Sequence, residues 1–127
     1  MDPAYAEMIA NGEKHVEARL SVQRRVPFGA VDVGDRVYVK PRSLGVSLVA
    51  RVSRVESFED MTPSEVRALR GQFNELIRGD AAFWRAKREA RYATLVWLSD
   101  VEAVHAQPVL PSPGARRNAW CVLDAGV

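Results

Sequence analysis

The sequence predicts a mixed α+β domain, a small curved sheet or barrel with helices packed against it. Three observations carry this reading. Residues 14–58 alternate polar and apolar with period two between turn signals. Residues from Thr62 onward switch to helical spacing behind a capping box. The run Tyr92 to Leu98 (YATLVWL) then returns to apolar, β-branched composition that suits a buried strand. The chain has 127 residues, 47% hydrophobic and 27% charged. That is enough for one domain, residues 1–127, to bury a core without disulfides or metals.

Taken in order, Asp2-Pro3 opens a short helix: an N-cap oxygen, then a proline where a missing N–H is harmless. Tyr5, Met8 and Ile9 fall at helical spacing, and Asn11-Gly12 ends the segment. Lys14 to Leu20 reads as a strand with His15, Glu17 and Arg19 on its polar face. Residues 31–35 make a turn before the period-two strand Arg36–Lys40, and Ser47 to Phe58 make a longer one with Arg51 and Arg54 at polar positions. Thr62-Pro-Ser-Glu65 is a capping box, and its helix is expected to end between Leu69 and Gln72. Gly79-Asp80 restarts a helix toward Arg91. Val101 to His105 and Ala119 to Leu123 read as further strands, the latter behind the proline-rich stretch 108–114.

Several function classes fall away. No apolar run approaches the roughly 18 to 20 residues of a membrane span. Asp2, Glu7 and Glu13 occupy the region where a secretory signal is basic and then apolar, so a cytoplasmic location is expected. One cysteine and two distant histidines form no metal-ligand pattern. The eight glycines are scattered, with no phosphate loop, and no cofactor is expected. Net charge is only +2, but it is unevenly spread: Lys14 to Arg54 holds nine basic residues against three acids, and Val55 to Phe83 reverses the balance. If the fold gathers the first segment, it makes a polyanion-binding face.

The most informative stretch is Gly12-Glu-Lys14-His-Val-Glu17-Ala-Arg19. On a strand, Glu17 and Arg19 point to one face, with Lys14 at the strand entrance. An ammonium, a carboxylate and a guanidinium together offer donors to carbonyl or phosphate oxygens and an acceptor to an exocyclic amine. From spacing alone, the favoured reading is a surface strand whose charges pair with one another, for about 1 kcal/mol at most.

Residues 5–19 resemble the opening motif of ASCH domains, G-x-K-x-x-E-x-R after a short helix. Later segments follow in the family's order: residues 33–39, the strand 49–55, and Tyr92–Leu98 with Val101 and Pro108 behind. The resemblance implies a PUA-like fold, a small β-barrel with flanking helices around a cleft that binds RNA or a modified base. It also implies that Lys14, Glu17 and Arg19 line that cleft. The chain departs from the family at two places. Only Met1-Asp2 precede Pro3, where relatives begin with a strand. The members that deacetylate N4-acetylcytidine carry a threonine three residues after the lysine, where this chain has Glu17.

The leading functional expectation is therefore a nucleic-acid or modified-nucleotide binding domain, with RNA the first partner and DNA the alternative. Lys14, Glu17 and Arg19 form the base-binding floor, Arg24, Arg25, Arg36, Lys40 and Arg42 contact phosphates, and Arg116 and Arg117 add to the nucleotide-binding surface. Trp120, behind the basic stretch 114–118, is the candidate stacking ring and equally a candidate core residue. Tyr38, out of phase with Val37 and Val39, faces away from them. Trp84 and Trp97 are expected in the core, and His15 and His105 at the surface. The alternative is a small hydrolase acting on a nucleoside amide, or a ribonuclease, with Lys14 as base and Glu17 directing a water, joined by Glu56 or Glu75. A third reading has the basic residues 85–91 contacting an acidic protein partner.

Overall fold

The computed structural model describes residues 3–24, 31–40, 48–103 and 120–124, with side chains over 7–24, 31–39 and 48–103. The element order is α1 (Pro3–Ala10), β1 (Val16–Ser21), β2 (Arg36–Lys40), β3 (Leu48–Phe58), α2 (Pro63–Ile77), α3 (Ala81–Ala86), β4 (Tyr92–Ala103) and β5 (Trp120–Asp124). The strands form one sheet in the order β1-β4-β3-β2-β5. The first four are antiparallel neighbours that curl into a half-barrel, and β5 joins β2 in parallel. Register shifts between Val49 and Arg51 and between Val52 and Arg54 mark β3. Such bulges strengthen local twist and help a long strand curl.

Each sheet face has its own core. The inner face carries Val37 and Val39 of β2, Leu48, Ala50 and Val52 of β3, and Val96 and Leu98 of β4, all buried, with Ile9 of α1 packed over them. The helix face carries Val16, Ala18 and Leu20 of β1 and Ala93 and Leu95 of β4. Val66, Leu69, Phe73 and Ile77 of α2 and Trp84 of α3 pack against it. The spacing 66, 69, 73, 77 is one apolar stripe of a helix.

Helix α2 starts where the sequence predicts: Thr62 Oγ1 accepts from the Glu65 N–H at 3.2 Å, and Glu65 Oε1 accepts from the Thr62 N–H at 3.1 Å. It runs past Gln72 to Ile77 because Phe73 and Ile77 extend the buried stripe, which outweighs the modest cost of Gly71. Arg78 closes it in the left-handed conformation. Asn74 then ties α2 to α3: its Oδ1 accepts from Gly79 N and from Trp84 Nε1, both at 2.9 Å. Helix α3 stops at Ala86, short of the predicted Arg91, and residues 87–89 turn toward β4. The residues from Val101 continue β4 rather than forming a separate strand.

At the other end, Asn11 and Gly12 close α1 as predicted, with Gly12 at φ 85°. Three backbone hydrogen bonds then fix the entry to β1: Lys14 N to Met8 O, His15 N to Leu76 O, and Leu98 N to His15 O. The segment after Gly12 is thereby clamped between α1, the end of α2 and β4.

Candidate functional site

That clamp places Lys14. Its Nζ donates to the carbonyl oxygen of Ile77, the last residue of α2, and sits 3.5 Å from Glu17 Oε1. The other carboxylate oxygen, Glu17 Oε2, accepts from Arg19 at 3.4 Å. Lys14 and Glu17 are 3% and 5% exposed, and the Arg19 side chain is 13% exposed. The charge order is positive, negative, positive, with the carboxylate shared between two cations. The bland alternative of a solvated surface strand does not hold for these three residues.

The register explains the grouping. Glu17 pairs with Val96 and Arg19 with Thr94 across β1 and β4, and directly opposed residues of an antiparallel pair share a face. Val96 belongs to the inner core, so Glu17 and Arg19 form a polar end to that apolar face. Val16, Ala18 and Leu20 alternate onto the helix face. The period-two pattern therefore puts three apolar residues under the helices and two charges inside the curl.

Burial lowers the Lys14 pKa from its ordinary 10.5. Desolvation is the largest cause and Arg19 adds a smaller push the same way, while Glu17, by its charge and its hydrogen bond, opposes them. The amine thus releases its proton more readily than a surface lysine does.

Around this centre, Tyr92 continues the β4 row on the inner face, opposite Ser21. The Arg24 guanidinium stands 5.4 Å from the Tyr92 ring centroid and pairs with Glu59 at 2.7 Å. Arg24 is thus at the rim on the face that carries Glu17 and Arg19. Arg36 is exposed on β2, out of phase with Val37 and Val39, and so lies on the opposite face; its backbone pairs with Arg51 and with Trp120. Tyr38 also alternates away from the buried valines and is half-buried. Lys40 and Trp120 are placed as backbone only, at the end of β2 and the start of β5. Arg25, Arg42, Arg116, Arg117 and His105 lie outside the described residues.

The two carboxylates proposed to join the lysine do not meet it. Glu56 pairs with Arg54 at 2.8 Å on the helix face, and Glu75 is exposed on α2. Arg54 covers Trp97 at 4.4 Å from the ring centroid, and Phe73 meets the same ring edge-on at 5.6 Å. Trp97 is therefore half-buried, whereas Trp84 is 4% exposed and fully in the core. His15 is exposed. Arg85, Arg88 and Arg91 are exposed, the last paired with Asp60 at 3.4 Å. Among the described residues no cluster of three His, Cys, Asp or Glu side chains could hold a metal, and no helix is long and apolar enough to cross a membrane.

One residue of the site escaped the sequence reading. Thr94, opposite Arg19, is 1% exposed, and its Oγ1 has no hydrogen-bond partner among the described residues. Its signal was available: it is the one hydroxyl between Ala93 and Leu98 in the otherwise apolar run.

No family model and no curated protein matches this chain. Solved structures do. The ASCH protein from Zymomonas mobilis superposes with a TM-score of 0.62 at 21% identity, covering 81% of this chain and 66% of its own. A tyrosine-to-phenylalanine variant of it gives 0.63 at 20% identity, over 83% and 69%. A serine-to-alanine variant gives 0.63 at 21% identity, over 83% and 68%. The sheet order, the flanking helices and these superpositions agree: the chain has the α+β fold of the ASCH proteins.

Proposed function

We propose that this chain binds RNA or a modified nucleotide, with Lys14, Glu17 and Arg19 as the base-binding floor and Arg24 at the rim for a phosphate. The observation that carries the reading is the buried charge triad. Removing three ionic groups from water costs several kcal/mol per ion, and well-packed apolar side chains of similar volume are often as stable or more so. The arrangement is economical for recognition instead: cationic donors flank one carboxylate acceptor at the polar end of an apolar face. The ASCH fold of the solved relatives is consistent with this reading.

The test is a titration with labelled single-stranded RNA, duplex RNA and DNA across a salt series, with N4-acetylcytidine turnover followed in parallel. Saturable binding without turnover is expected. Absence of binding to every polymer and to the four ribonucleoside 5′-monophosphates overturns the proposal. The second reading, hydrolysis of a nucleoside amide, is favoured by the buried contact of Lys14 Nζ with Glu17 Oε1 at 3.5 Å, where burial lowers the Lys14 pKa and so raises its share of free amine. Glu17 stands where the amide-hydrolysing members carry threonine, so the nucleophile would be a water rather than a side-chain hydroxyl.

A further inference from the structure

Thr94, the third residue of β4, has a hydroxyl that is buried and has no hydrogen-bond partner among the described residues. A buried polar group left unmade is costly, and valine would fill the same volume with the same β-branched stiffness and no such cost. The position is also specific. Across one neighbour Thr94 faces Arg19, and across the other it faces Ser57. Directly opposed side chains have Cβ atoms about 4.5–5.5 Å apart. The next inner-face row is Glu17, Val96 and Val55, so Thr94 sits beside the charge triad where the apolar face gives way to polar groups.

The neighbouring groups select a role for the hydroxyl. Arg19 and Lys14 donate only, and Glu17 already receives both of them. A ligand edge that reaches this strand pair from the inner face meets a guanidinium on one strand and a rotatable O–H on the next. Both can serve one acceptor oxygen. We propose that Thr94 is a specificity-determining residue of the nucleotide site, whose Oγ1–H donates to a ring carbonyl oxygen of the bound base. The inference rests on the nucleotide-binding reading above and adds the chemistry that the site selects. It predicts preference for bases with a ring carbonyl, cytosine, uracil and guanine, over adenine, which has none.

The experiment compares the wild-type chain with Thr94→Val and Thr94→Ser, using the four ribonucleoside 5′-monophosphates and a labelled single-stranded RNA as probes, with thermal melting of each free protein. Thr94→Val is expected to weaken binding of CMP, UMP and GMP roughly tenfold or more while leaving AMP unchanged, because Arg19 is left to serve the oxygen alone. Thr94→Ser keeps the O–H and is expected to retain the preference. The free Thr94→Val protein is expected to melt at or above the wild-type temperature, since it loses an unmade hydrogen bond rather than a made one. Equal affinity of wild type and Thr94→Val for the carbonyl-bearing nucleotides overturns the assignment, as does a wild type without preference over AMP. A lower melting temperature for free Thr94→Val does so too, by showing that the hydroxyl serves the fold. If the wild type binds none of the nucleotides and no RNA, the nucleotide-binding proposal itself fails and this one falls with it.

Discussion

Lys14 Nζ donates to the carbonyl oxygen of Ile77, which ends α2. The last carbonyls of a helix lack intrahelical donors and carry the negative end of its dipole, so an ammonium is well placed there. One residue of the candidate site thus also caps the longest helix. Site and scaffold share an atom-to-atom contact, and variants at Lys14 will report on both.

Burial of that amine gives the fold a pH dependence. Because the folded pKa lies below the unfolded 10.5, the unfolded chain binds the extra proton between the two values. Stability contributed by this residue therefore rises with pH through that window and is lowest below the folded pKa, where a proton must be held in a dry site. The difference in unfolding free energy between wild type and Lys14→Met, measured by urea titration from neutral pH toward pH 10.5, is expected to move in favour of the wild type as pH rises. A difference that stays flat contradicts the burial argument.

Glu17→Gln removes the charge that both Lys14 and Arg19 face. Breaking a buried ion pair from one side costs roughly 3–5 kcal/mol. About 3 kcal/mol is expected here, because Lys14 keeps its Ile77 partner and Arg19 retains some contact with water. Urea midpoints measure the loss. Affinity for RNA should fall as well, at temperatures where the variant stays folded, and unchanged affinity would remove Glu17 from the floor.

Replacing Arg24 and Arg25 together with alanine should weaken RNA binding to a similar degree across sequences. Each lost phosphate contact lowers the slope of log affinity against log salt by about 0.7 for a single strand. Arg24 is held at the rim by Glu59 and Tyr92, so its contribution is oriented rather than diffuse. An unaltered slope would exclude the pair from the footprint.

Gly79→Ala tests the α2–α3 corner independently of ligand. A Cβ at Gly79 would lie 2.8 Å from Phe83 Cδ2 and 2.9 Å from Trp84 Nε1. Those rings pack edge-to-face, 5.1 Å between centroids, and Trp84 is bonded to Asn74. The rings must therefore shift, at an expected cost of about 1–3 kcal/mol, read as a lower melting temperature. RNA affinity of the folded variant should be unchanged.

Much of the architecture was legible locally. The Thr62–Glu65 capping box, the Asn11-Gly12 stop and the alternation of Arg36–Lys40 are short-range patterns whose physics is complete within a few residues. Element ends were less legible, since α2 extends to Ile77 for a contact with the sheet that no local signal encodes. The length of β4 likewise depends on its pairing with β3, which reaches Ala103.

For the site, local spacing already groups the charges: the period-two spacing of Glu17 and Arg19 commits both to one face, with Lys14 at the entrance. The remaining features come from long-range contacts. Only the register of β1 on β4 brings Thr94 opposite Arg19, 75 positions along the chain, and only α2 closing over the strand entrance takes Lys14 out of water. The same register sets Arg24 at the rim of the inner face, while the alternation of β2 turns Arg36 to the other side. Local spacing fixes direction along one strand. Burial, and with it the strength of every charge in the site, depends on which distant segments cover it.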